Sequence, residues 1–170
     1  MLLPVSNAAF AALAAGALLA TIIDIRSRRI PNSLTAAMTG VGLGLALTGL
    51  SGVSLASSVT GLIVGLMLMM PGHMMGATGA GDVKLMASVG AILGIKLVVT
   101  AFLFTAIAGG VLAVAVALRR RRLTATLAGT GRMIAAPTGL RHEVRAASPV
   151  SRFAYGPAIA VGSVIAAIVG

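Results

Sequence analysis

Leu3–Ile23, LPVSNAAFAALAAGALLATII, carries no charge and is followed at once by Asp24–Asn32, DIRSRRIPN. A helix needs about 20 apolar residues to cross hydrocarbon. The charges come after the apolar run. That order fits a retained span with its C-terminal end in the cytoplasm, and does not fit a cleaved export signal. The rest of the chain has the same character: of 170 residues, 58% are hydrophobic and 9% charged. Soluble domains carry about 25% charged residues. A soluble domain this short could not hide so much apolar surface, so the expected solvent is largely lipid. The length leaves room for one membrane domain, 1–170, and no second soluble one.

Working outward from Asn32, Pro31 and Asn32 predict a turn and Ser33 an N-cap, with a second span over Leu34–Leu50. Ser51-Gly52 is a tight return, and a third span covers Val53–Met70 until Pro71-Gly72 breaks it. Gly72–Gly81, GHMMGATGAG, is a Gly-rich loop. Asp82–Leu93 then reads as a helix of roughly 18 Å, too short to cross unaided. Gly94 ends it, a fifth span runs over Ile95–Leu118, and Arg119–Arg122 stop that one. The segment from about Arg119 to Arg152 is a basic loop whose mildly apolar middle, Leu123–Ala136, suits an interfacial or re-entrant piece. Phe153–Gly170 is the last span, with Pro157 near its start. The expected fold is an all-α polytopic bundle of about six transmembrane helices with a short fourth helix. Gly40, Gly42, Gly44, Gly61 and Gly65 are expected to serve close helix packing.

The net charge of +10 could point to nucleic acid, but aromatic residues make up only 3% and stacking platforms are missing. With the N-terminus outside, Lys96 alone of the thirteen Lys and Arg residues falls on the outer side. That is what the positive-inside rule expects of a multi-pass membrane protein, with the Arg-rich loop on anionic headgroups. The chain has no cysteine, so disulfides, thiolate metal sites and thiol nucleophiles are excluded.

Only three acids occur: Asp24, Asp82 and Glu143. The same topology puts Asp24 at the cytoplasmic end of the first span and Asp82 at the cytoplasmic start of the fourth, at one depth. A carboxylate near hydrocarbon is costly and marks a functional site. Two carboxylates sharing one proton can cut a peptide bond, one taking a proton from water while the other donates to the carbonyl. Gly79 and Gly81 are expected to supply backbone angles closed to other residues and close approach of an extended substrate. Lys84, one turn into the helix, either steadies the site's charge or sits at headgroups. The structural alternative is that Asp24 pairs with Arg26 and Arg28 while Asp82 merely caps a helix. Met67, Met69, Met70, His73, Met74 and Met75 form a soft-metal pattern, read instead as apolar filler around a loop. His142 and Glu143 read as solvated surface.

Asp24 within DIRSRRIPN, followed by GAGDVKLMASVGAILG over Gly79–Gly94, resembles the type IV prepilin peptidase family, in particular its short members serving tight-adherence pili. The Gly-x-Gly-Asp signature is also shared with presenilin-type intramembrane proteases. Tyr155-Gly156-Pro157 resembles the family's Phe/Tyr-Gly-Pro element before the last helix. The resemblance implies a metal-independent aspartyl endopeptidase that removes short leaders from prepilin or pseudopilin precursors at the cytoplasmic face. Asp24 and Asp82 would be its catalytic pair, Gly79, Gly81, Lys84 and Asn32 its supporting residues, and no cofactor is expected. Longer members carry a cysteine-bearing cytoplasmic region and also methylate the new N-terminus. This chain has no such region, and methylation is not expected of it. The two rival readings are a non-catalytic membrane assembly or binding protein of a pilus or secretion system, and a small proton-coupled transporter.

Overall fold

The computed structural model describes residues 5–119 and 155–170. Its regular elements are α1 Asn7–Ser27, α2 Asn32–Leu47, α3 Leu55–Met74, α4 Ala80–Arg119 and α5 Gly156–Val169. Among the described residues there are helices and no strands. Helices α1 and α3 and the stretch Ala80–Ala115, of 21, 20 and 36 residues, are long and apolar enough to cross a membrane. Chemically this is a membrane protein. Helices α2 and α5 are also apolar but shorter, at 16 and 14 residues, or about 24 and 21 Å long.

The expectation of about six helices is corrected to five among the described residues. The predicted fourth and fifth helices run on from one another as α4, and the break expected between them is there: they meet at a kink at Gly94, whose φ of 77° and ψ of 177° are not helical. Two serines of α3 serve the backbone at the bend. Ser58 Oγ donates to the Ala91 carbonyl, and Ser57 Oγ accepts from the Ile95 N–H at 3.3 Å. A break in a buried helix frees polar groups that must be satisfied, and these hydroxyls take that role.

The two arms of α4 live in different surroundings. Leu85 through Gly94 are buried without interruption, whereas Val99, Leu103, Ile107, Val111 and Val114 are exposed along one face. A helix apolar on every side is a core helix. The first arm is therefore the centre of the bundle, and its shortness is no defect because protein, rather than lipid, surrounds it. Close packing makes this possible. A methyl group on Gly61 or Gly65 would collide with the α4 backbone at Gly90 or Met86, and one on Gly42 would stand 2.8 Å from the Ala91 carbonyl carbon. Gly40 and Gly44, expected in the same role, face open space.

Several boundaries also move. Helix α1 runs on to Ser27, so Asp24 lies in its last turn and is not its terminus. Arg28, at φ 52°, closes α1 with its N–H on the Asp24 carbonyl. Helix α2 starts at Asn32 behind Pro31, and no side chain caps it, so Ser33 is not the N-cap. Proline's fixed φ already prepares the helical entry. Pro71 does not end α3; it sits in the last turn, and Met75 N–H still reaches the Pro71 carbonyl at 3.0 Å. That near the end, a proline deletes one ladder bond and leaves the rest intact. The connection to α4 is thus only Met75–Gly79. The basic segment 120–152 with its arginines, His142 and Glu143 lies outside the described residues, as does Phe153.

Candidate active site

Asp24 and Asp82 are both buried, at 5% and 7% exposure. They lie at the same end of the bundle. Lys84 Nζ donates to Asn32 Oδ1 at 2.8 Å, tying the start of α4 to the start of α2. Gly81 abuts the link between α1 and α2 so closely that a methyl group there would stand 3.0 Å from Ile30 Cβ. Asp24 and His73 both lie within electrostatic reach of the Asp82 carboxylate.

Each carboxylate is held by a backbone N–H. Asp82 is the third residue of α4, and its Oδ2 accepts from the Gly79 N–H at 2.8 Å. This is half of a capping box, the acidic side chain reaching back to the residue before the helix. Glycine has no side chain to return the bond. The capping alternative is therefore part of the geometry, but it occupies only one carboxylate oxygen. Asp24 Oδ2 accepts from the Gly156 N–H at 2.9 Å, in a buried bond linking positions 132 residues apart. Gly156 opens α5, and its N–H is one of the donors a helix start leaves without an internal partner. A buried hydrogen bond to a charged group is worth about 1.5–3 kcal/mol.

Of the residues expected to support the site, Gly79 gives its N–H to Asp82, and Gly81 leaves room for Ile30. Neither has a positive φ; in this connection only Gly76 does. The expectation of unusual backbone angles at Gly79 and Gly81 is therefore corrected to one of space and donor access. Lys84 and Asn32 are exposed partners of one another at the edge of the site. His73 binds the Thr78 carbonyl through Nδ1 at 3.1 Å and so pins the connecting turn. Met69 is buried, while Met67, Met70, Met74 and Met75 are exposed. Among the described residues no group of three or more His, Cys, Asp and Glu could hold a metal ion.

Gly156 and its neighbour Tyr155 were not among the expected site residues. Tyr155 packs on α4 at Gly109, where a methyl group would strike its ring. The sequence signal for this neighbourhood is the Tyr-Gly-Pro triplet at a helix start, where Pro157 presets the helix.

The described residues thus form a helical membrane bundle with two buried aspartates at one end. Residues 11–114 match the model of the type IV leader peptidase family, and the chain belongs to that family. The matched segment includes both aspartates and ends before α5. No curated protein matches the chain, and no solved structure does.

Proposed function

We propose that this protein is a membrane aspartyl endopeptidase that cuts the short leader from prepilin-like precursors at the cytoplasmic face of the bacterial inner membrane, with Asp24 and Asp82 as its catalytic pair. One observation carries the reading. The only two acids among the described residues are both buried, at one end of the bundle, within electrostatic reach of each other. Burying carboxylates is costly, and a protein with only structural needs would avoid doing so twice in one place. Membership of the leader peptidase family supports the same reading.

The chemistry runs as follows. One carboxylate takes a proton from water, and the water oxygen adds to the scissile carbonyl carbon. The other carboxylic acid gives its proton to the carbonyl oxygen. The tetrahedral diol then collapses: one of its hydroxyls returns a proton to the pair, the C–N bond breaks, and the leaving nitrogen takes a proton from the pair, which is left with one proton as at the start. The precursor's apolar helix lies against the bundle in lipid, and its leader stays in the cytoplasm. Lys84 and Asn32 stand where they can meet the segment near the cut. The proposed orientation has the N-terminus outside and the Arg26–Arg29 cluster on headgroups of the inner leaflet.

The test is co-expression with a small precursor bearing a short leader and an apolar helix. The peptidase reading expects a shortened product with a single new N-terminus. An assembly protein would bind the precursor and leave its mass unchanged. A proton-coupled transporter would leave it intact and show pH-dependent uptake in vesicles.

A further inference from the structure

We propose that Gly156 is a positioning residue of this peptidase: its N–H orients the Asp24 carboxylate, and its missing side chain makes the room that carboxylate occupies. The inference rests on the proposed function and extends the site to α5, which lies beyond the segment matched to the family.

Three observations meet at this contact. The Gly156 N–H donates to Asp24 Oδ2 at 2.9 Å, and both residues are buried. A methyl group on Gly156 would stand 2.8 Å from Asp24 Oδ2, 3.1 Å from its Cβ and 3.2 Å from its Cγ. Those distances oblige the whole side chain to shift. The segment itself cannot yield easily, because Pro157 stiffens one side of Gly156 and Tyr155 is wedged on Gly109 at the other.

The chemical consequence follows from what an N–H can do. It is a donor only, so the oxygen facing it is held as an acceptor, and any proton Asp24 carries belongs on Oδ1. Gly79 imposes the same constraint on Asp82 Oδ2. Each aspartate therefore has one oxygen fixed to the backbone and one left for the substrate, the shared proton and water. Two glycine amides, 77 positions apart in the chain, set which carboxylate edge works.

Gly156→Ala tests this, with Gly162→Ala as the control. A methyl group at Gly162 also collides, but with Thr105 and Ala101, away from Asp24. Both variants are expected to lower the melting temperature. Only Gly156→Ala should cut kcat, by about 100-fold for a reacting group displaced on the ångström scale. Its KM should stay within a few-fold of the parent's, and the pH profile of kcat should move. A second measurement needs no activity. In an Asp24→Ala background the obstructing carboxylate is gone and only Cβ, at 3.1 Å, remains, so adding Gly156→Ala should cost less melting temperature than it does in the parent, whereas Gly162→Ala should cost the same in both. Normal kcat and an unchanged pH profile in folded Gly156→Ala would overturn the inference, as would an equal loss of melting temperature in both backgrounds or a double variant that does not fold. Failure of the peptidase reading looks different, because the parent protein would then not cleave the precursor at all.

Discussion

Lys84 Nζ and Asn32 Oδ1 stand 2.8 Å apart and join α4, two residues past Asp82, to the first residue of α2. Both side chains are exposed, so their bond contributes under about 1 kcal/mol to stability. Asn32→Ala and Lys84→Gln should therefore leave the melting temperature within about 2–3 °C of the parent's. If Lys84 also steadies negative charge during the reaction, Lys84→Gln lowers kcat by about tenfold, the effect of roughly 1.4 kcal/mol. An unchanged kcat would assign Lys84 to the headgroup region alone.

Asp82 has two separable roles, and two substitutions divide them. Asn keeps an oxygen acceptor for the Gly79 N–H; Ala does not. Asp82→Asn should hold the stability of the parent while losing cleavage. Asp82→Ala should lose cleavage and also about 1 kcal/mol of stability, the usual worth of a helix cap. Thermal unfolding of both variants in detergent reads the difference. Equal melting temperatures would mean that the half capping box contributes nothing.

The α3–α4 seam depends on absent side chains. Gly65→Leu forces bulk against the α4 backbone at Met86 and should cost about 1–3 kcal/mol, as overpacking does. Gly40→Ala meets nothing within 4 Å, and should be neutral or stabilising by about 0.5–1 kcal/mol because alanine suits a helix interior better. Chemical denaturation of the pair checks the contrast. A tolerated Gly65→Leu would contradict the packing.

At Gly94 the backbone requires glycine, with φ at 77° and ψ at 177°. Gly94→Ala should cost about 1–3 kcal/mol from the backbone alone. The added methyl would also stand 2.6 Å from Ser57 Oγ, the atom that accepts from Ile95 N–H. Ser57→Ala removes that obstruction but leaves Val53 Cγ1 at 2.8 Å and takes the acceptor from the Ile95 N–H, so the double variant should recover only a small part of the loss. Melting curves of the two single variants and the double report whether it does.

Much of this architecture could be read from residue order. The first span, the Arg cluster behind it, the bend at Gly94 and the depth of Asp82 all follow from where charges and glycines interrupt apolar runs. What stayed hidden has a common physical cause. In an all-apolar helix, side chains facing lipid and side chains facing protein look alike, so nothing in Leu85–Gly94 says that this arm is enclosed on every side while Val99–Val114 has an exposed face. Pro71 reads as a helix breaker because the sequence does not show how close the helix end already is. Ser33 resembles a cap, yet the residue before α2 is Pro31 and no side chain caps the helix. The hold on Asp24 comes from a backbone N–H 132 positions away. A peptide amide belongs to nearly every residue and leaves no mark in the sequence.

The most direct measurement is the rate at which purified Asp24→Asn and Asp82→Asn, each shown by melting curve to be folded, cut a prepilin-like precursor in lipid. If the two carboxylates work as one acid–base unit, either substitution alone abolishes cleavage, by a factor of about 10³ or more, and combining them removes little further. Cleavage near the parent rate by either folded variant would contradict the paired-aspartate site.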